Sequence, residues 1–153
     1  HISMEAFIDA SFGCHMDCKS RSGIMLMMQG SCVGAWSCKQ KLNTKSSTEA
    51  EIVGLSDGLS HVIWARELLT AQGYVLPPTK VHQDNQGVLS IMSTGKSPRH
   101  RTKHLNIRHF FVRDRVITGD VTLSYCPTRE MAADMLTKAV NGELFQYLIS
   151  LLR

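Results

Sequence analysis

The chain reads as an α/β domain built on a mixed sheet. Three observations predict this: three strand-like segments in the first forty residues, one long amphipathic helix after them, then strand–helix alternation to the end. At 153 residues the chain fits one domain, residues 1–153, large enough to bury a true core. The composition, 43% hydrophobic and 20% charged, is that of an ordinary globular protein. A net charge of +4 permits an anionic partner without demanding one. No apolar run approaches the roughly 18 residues of a membrane span, and no signal peptide is recognisable; an intracellular protein without a membrane partner is expected. Five cysteines (14, 18, 32, 38 and 126) lack any Cys-x-x-Cys spacing and read as reduced thiols. A zinc site from Cys14, His15 and Cys18 would lack a second ligand pair. The chain does not begin with methionine, so a piece cut from something longer is expected.

Taken in order, residues 6–11 alternate as a strand ending in a polar turn. Strands over 23–28 and 32–36 follow, joined by a Gln29-Gly30 turn signal into an antiparallel meander. The central helix starts at Ser46-Ser47-Thr48-Glu49-Ala50-Glu51 and runs to Gln72, where Gly73 and Pro77-Pro78 end it. Hydroxyl residues followed by acids suit the positive end of a helix, and two capping boxes compete, Ser46 with Glu49 and Thr48 with Glu51. At 100° per residue, Ile52, Leu55, Leu59, Val62 and Ile63 form an apolar stripe. Ala50, Gly54, Gly58 and Ala65 form a second stripe of small residues, which predicts a close neighbour. Glu51 projects between the stripes and Glu49 away from both. A carboxylate aimed at a packed side needs a partner, such as a metal ion, although both acids also suit a plain helix N-terminus.

A strand over 81–84 leads into a helix from Asn85 to Met92. A basic, turn-rich stretch over 93–100 precedes a helix over 105–117, closed by Gly119. A last strand over 121–126 opens into a helix over 129–138 behind Thr128, and an amphipathic helix covers 142–152. Four acids stand out by position: Asp9 and Asp84 at strand ends, Glu51 one turn into the central helix, and Asp134 two turns into the helix after the last strand. Such carboxylates can converge on hard divalent cations. Two ions roughly 4 Å apart can activate water and stabilise a leaving oxygen in phosphodiester cleavage.

Several segments together carry a family resemblance. They are Phe7-Ile8-Asp9-Ala10-Ser11-Phe12 with Lys19-Ser20-Arg21-Ser22-Gly23; Lys45-Ser46-Ser47-Thr48-Glu49-Ala50-Glu51; Gln83-Asp84-Asn85-Gln86; Arg101-Thr102-Lys103-His104-Leu105-Asn106-Ile107-Arg108; and Tyr125-Cys126-Pro127-Thr128 with Ala133-Asp134-Met135-Leu136-Thr137-Lys138. In this order they resemble the ribonuclease H domain at the C-terminal end of Ty1/copia-type retrotransposon polyproteins. The resemblance implies a ribonuclease H-like fold, a mixed five-stranded sheet flanked by helices. It implies hydrolysis of the RNA strand of an RNA–DNA hybrid with two Mg2+ ions, Mn2+ able to substitute, beside a reverse transcriptase in the parent polyprotein. A cytoplasmic retrotransposon particle, or the nucleus, is the location it implies. Asp9 would bridge both ions, Glu51 and Asp84 would hold the one on the leaving-group side, and Asp134 the one that activates water.

One departure from cellular ribonucleases H is visible. Their loop before the last catalytic helix bears a histidine; here Cys126-Pro127-Thr128-Arg129-Glu130 has none, and Arg129 or Glu130 would have to replace it. The hybrid-contacting set expected from sequence is Ser11, Asn85 and Gln86 with Lys39, Lys41, Lys45, Arg101, Lys103, His104 and Arg108. Basic residues on both sides of the acids would neutralise phosphates, and Asn85 and Gln86 would read the minor groove, where the 2′-hydroxyl marks the RNA strand. Against this, Asn85 and Gln86 equally suit a helix cap, His104 suits a locally hydrogen-bonded histidine, and Trp36 and Trp64 suit the core. Rival readings are a non-catalytic nucleic-acid-binding domain from a decayed or domesticated element, and an integrase or resolvase of the same superfamily. The complete acid set argues against the first and the copia-type segments against the second.

Overall fold

The computed structural model describes residues 2–95 and 103–152. Five strands, β1 (Met4–Ser11), β2 (Arg21–Met28), β3 (Ser31–Lys39), β4 (Thr79–Gln83) and β5 (Val121–Tyr125), form one sheet in the order β3-β2-β1-β4-β5. β1, β2 and β3 pair antiparallel, whereas β4 joins β1, and β5 joins β4, in parallel. The tight β2–β3 turn places Gln29 and Gly30 at positive φ, 52° and 79°, the backbone a two-residue hairpin loop requires. The expected meander and mixed sheet are both present, and β3 runs three residues past the expected end at residue 36.

Helix α1 (Ser47–Ala71) crosses one sheet face, with α2 (Gln86–Thr94) and α3 (Lys103–Ile117) beside it. Ile52, Leu55, Leu59 and Val62 are fully buried against Ile8, Leu26, Val81 and Val112. The small-residue stripe meets the sheet directly. A Cβ on Gly58 would lie 2.5 Å from Ile8 Cδ1 and 3.1 Å from Ile24 Cγ1, so the helix rests on β1 and β2 at a spacing only glycine allows. Gly58→Val is therefore expected to destabilise the domain by about 2–3 kcal/mol, read by chemical denaturation, despite valine's better helix propensity.

Of the competing caps, Ser46 prevails: its Oγ accepts from the Glu49 N–H at 3.2 Å, and the Glu49 carboxylate turns back to the Lys45 N–H at 2.7 Å. Trp36 half-buries and stacks on His61 with ring centroids 4.3 Å apart. Trp64, expected in the core, is instead 64% exposed, on the side of α1 away from the sheet-facing stripes.

The opposite sheet face is covered by the segment that follows β5. The expected helix over 129–138 is not one helix. A single 3-10 turn (Thr128–Glu130) is followed by a buried run, Met131, Ala132 and Ala133, and then by the four-residue α4 (Asp134–Thr137). The hydrophobic run lies against Phe7, Met25 and Met27 instead of winding out as a helix face. Asp134 thus opens a short helix and is not two turns into a long one. Helix α5 (Gly142–Ser150) ends the fold, capped by Asn141. Among the described residues no helix is long and apolar enough to cross a membrane.

Candidate metal centre

Parallel pairing of β1 and β4 brings the ends of two neighbouring strands to one edge of the sheet. Asp9 lies near the end of β1, and Asp84 immediately follows β4. Across β2, Gly23 pairs with Asp9 and leaves room for α4: a Cβ there would lie 2.7 Å from Thr137 Cγ2 and 2.9 Å from the Ala133 carbonyl. α4 therefore settles beside Asp9 and delivers Asp134. Carboxylate oxygens of Asp9, Asp84 and Asp134 all lie within 4.8 Å of one another. Asp9 and Asp134 are buried and Asp84 is partly so.

Glu51 stands beside this trio without joining its tightest grouping. Gly54, one turn later in α1, sits against Ala10 and the Asp9 carbonyl, which holds the start of the helix over the end of β1. The buried Glu51 carboxylate accepts from Gln83 Nε2 at 3.3 Å. Glu49 points away to the helix cap, as the stripe geometry requires.

Electrostatics mark the site as strained for anions. Burial, helped by the Asp134 charge and opposed by the Thr137 hydroxyl, raises the Asp9 carboxyl to about 7. Burial, followed by the charges of Asp9 and Asp84, raises Glu51 to about 9. Burial and the Asp134 charge also raise Asp84. Folded protein thus holds protons on these groups that unfolded chain, near 3.8 and 4.5, gives up. The contribution is favourable below pH 4 and is lost as pH rises toward 7–9. The metal-free Tm should accordingly fall between pH 5 and pH 9, and Asp9→Asn should flatten that fall. Calorimetric scans across the range, with a chelator present, measure both.

Crowded, partly buried hard-oxygen donors of one sign fit a divalent cation, and the donor set matches Mg2+ or Mn2+ better than a thiophilic metal. Asp9, Asp84 and Asp134 would hold it, with Glu51 adjoining.

Sequence reasoning missed four residues that orient these acids. Buried Gln83 donates to Glu51 and accepts from the Asn85 N–H at 3.0 Å. Thr128 Oγ1, expected as a helix cap, donates to Asp84 Oδ2 at 3.2 Å. Thr137 Oγ1 donates to Asp9 Oδ2. Lys138 Nζ lies 3.0 Å from Asp134 Oδ1. The only sequence signal was their place inside the recognisable segments, with Asp134 and Lys138 four apart.

The residues expected to contact nucleic acid fall in several places. Ser11 ends β1, two residues from Asp9, with Arg21 and then Lys39 across the strands. Lys39 pairs with Asp17 at 2.7 Å; Lys41 and Lys45 are exposed in the approach to α1. Asn85 caps α2 through the Val88 N–H at 3.1 Å, and Gln86 is exposed beside it. Lys103 and His104 are exposed at the start of α3. Arg108 is drawn back to Asp57 of α1 at 2.5 Å, so its guanidinium serves the α1–α3 contact. Arg101 lies outside the described residues. Arg129 and Glu130, the expected replacements for the histidine loop, are exposed on the 3-10 turn.

No protein-family model matches the chain. Among curated proteins it is 31% identical over 147 residues, 95% of its length, to the retrovirus-related Pol polyprotein from transposon RE1 of Arabidopsis thaliana. It is 28% identical over 144 residues, 94% of its length, to that of transposon TNT 1-94 of Nicotiana tabacum. It is 29% identical over 150 residues, 94% of its length, to the Ty1-DR5 Gag-Pol polyprotein of Saccharomyces cerevisiae. The chain spans only 10%, 11% and 8% of those relatives. Among solved structures it resembles the N-terminal RNase H domain of Rv2228c from Mycobacterium tuberculosis, with a TM-score of 0.65, 12% identity and 98% of each chain covered. It also resembles LC11-RNase H1 in complex with RNA/DNA hybrid, with a TM-score of 0.65, 12% identity, and 88% and 94% covered. The foamy viral protease–reverse transcriptase in complex with RNA/DNA hybrid matches over 94% of this chain and 20% of that one, with a TM-score of 0.61 and 13% identity.

Proposed function

Starting from a chain that is homologous over nearly its whole length to one segment of Ty1/copia-type retrotransposon Pol polyproteins and has the ribonuclease H fold, we propose that it hydrolyses the RNA strand of RNA–DNA hybrids. The observation that carries the reading is the convergence of Asp9, Asp84 and Asp134 within 4.8 Å at the strand ends, with Glu51 beside them. Bound Mg2+, or Mn2+ in its place, supplies charge that stabilises the leaving oxygen and lowers the pKa of an attacking water. This chain's residues do the rest. Asp9, Glu51, Asp84 and Asp134 would hold the ions, Glu51 and Asp84 serving the one on the leaving-group side, Asp134 the one beside the attacking water, and Asp9 both. Gln83, Thr128 and Thr137 fix the carboxylates by hydrogen bonds, as outer partners of metal ligands do.

The hybrid lies across this edge, its phosphates met by Lys39, Lys41 and Lys45 on one side and Lys103 and His104 on the other. Ser11 and Gln86 stand close enough to Asp9 and Asp84 in the chain to address the strand being cut. In the parent polyprotein the domain works beside a reverse transcriptase, as in the foamy viral protease–reverse transcriptase bound to hybrid. Its proposed place is a cytoplasmic retrotransposon particle.

Incubation of end-labelled hybrid, duplex DNA and duplex RNA with the domain and Mg2+ tests this. Cleavage confined to the RNA strand of the hybrid is the expected result. Binding of hybrid with no cleavage at any Mg2+ or Mn2+ concentration overturns the catalytic reading. Replacing Lys41 and Lys45 together with glutamine should weaken binding to all hybrid sequences alike. It should also reduce the slope of log K against log salt by about two, one unit for each phosphate no longer neutralised. Titrations at four salt concentrations give that slope.

A further inference from the structure

Each aspartate of the cluster has one partner in the segment after β5, two by hydrogen bond and one by an ion-pair contact. Thr128 serves Asp84, Thr137 serves Asp9, and Lys138 serves Asp134. Two of these partners are neutral hydroxyls; Lys138 alone brings a positive charge, as an ion-pair contact. Among the described residues it makes the only ion pair to any of the four acids. The arrangement is not an ordinary pair along a helix surface. α4 ends at Thr137, and Lys138 follows it in extended backbone, φ −146° and ψ 157°. Its partner carboxylate is 5% exposed and faces other acids, while the lysine side chain is 45% exposed. The ammonium therefore enters the carboxylate cluster from solvent on a flexible stem and has room to leave by the same way.

We propose that Lys138 is a displaceable counter-ion, whose ammonium stands beside Asp134 in the metal-free domain and yields to the incoming divalent cation. The inference rests on the metal-binding reading above and adds a competitor built into the chain. It makes Lys138 a positioning residue with two opposed effects. Without metal it relieves the repulsion among buried carboxylates; with metal present it must be pushed aside, so it weakens apparent metal affinity. A lysine that only braced the Asp134 carboxylate for metal would have the opposite effect on affinity.

Calorimetric titration of Mn2+ and of Mg2+ into the domain without nucleic acid separates these cases. Lys138→Gln should bind either ion about three- to five-fold more tightly than wild type, the factor expected on removing a competing half-exposed ion pair. Lys138→Met, which keeps the apolar stem, should do the same, and Lys138→Arg should stay near wild type. Lys80→Gln, on β4 and outside the cluster, removes an equal charge and should leave affinity unchanged. In parallel melts, metal-free Lys138→Gln should unfold at a lower temperature than wild type at pH 8 and gain more from Mn2+. Unchanged or weaker metal affinity in both Lys138→Gln and Lys138→Met overturns the inference. Equal tightening in Lys80→Gln also overturns it, since the effect would then be net charge alone. A wild-type domain that binds neither ion overturns the metal reading and this inference with it.

Discussion

On the proposed reading, Asp9→Asn is expected to reduce hydrolysis of a hybrid by well over 100-fold, and Asp84→Asn to do the same, with the fold intact in both. A hundred-fold is the upper end of what removing an outer partner of a metal ligand costs, and these two are placed as ligands themselves. The amide keeps the shape of the carboxylate and can still accept from Thr137 or Thr128, but it is a poor donor to a hard cation. For Asp9 the loss of function comes with a gain in stability. A carboxyl raised to about 7 is held at a disadvantage when ionised, so above pH 7 the metal-free Asp9→Asn domain should melt several degrees higher than wild type. About 1 kcal/mol corresponds to 2–4 °C in a domain this size. Single-turnover cleavage at saturating Mg2+ and chelated thermal melts check the pair of effects. Near wild-type turnover in either variant would remove the aspartate from the site.

Glu51→Gln and Glu49→Gln, two residues apart on one helix, should behave as opposites. Glu51 is buried, faces Asp9 and Asp84, and is held by Gln83; its amide should abolish cleavage and leave the metal-free protein equally or more stable. Glu49 accepts a backbone N–H at the helix start, so its amide should keep most activity and lose roughly 0.5–1 kcal/mol. Parallel cleavage assays and urea titrations decide it. An inactive Glu49→Gln with an active Glu51→Gln would sink the assignment.

The different placement of the two acids, Glu51 buried and Glu49 at the cap, was readable in advance because a helix converts spacing into direction. The small-residue stripe at Gly54 and Gly58 told which side of α1 meets the sheet, and Glu51 follows from it. The same logic failed over 128–138. Thr128, followed by a helix-forming run, looks like a capped helix in one dimension. In three, its hydroxyl is taken by Asp84, and Met131, Ala132 and Ala133 are worth more buried on the sheet than wound into a turn. Trp64 failed for a related reason: it lies on the side of α1 away from the buried stripes, and a large apolar side chain does not itself decide the face. The Arg108–Asp57 pair joins residues 51 apart, and no local pattern announces it. Arg108 looked like a free cation only because its partner is remote in sequence. Gln83, Thr137 and Lys138 had no rule of their own, because their work is to orient neighbours that only the fold brings near.

The strand order β3-β2-β1-β4-β5 has a bearing on time as well as shape. β1, β2 and β3 pair with their sequence neighbours, across residues 12–20 and the Gln29-Gly30 turn, whereas β4 reaches β1 only past β2, β3 and the whole 25-residue α1. Glu51 meets Asp9 wherever α1 docks on β1, while Asp84 and Asp134 add their charge only through the more distant pairings. Relief of the repulsion added by Asp84 and Asp134, by amide or by cation, is therefore expected to act mainly on the unfolding rate and little on the folding rate.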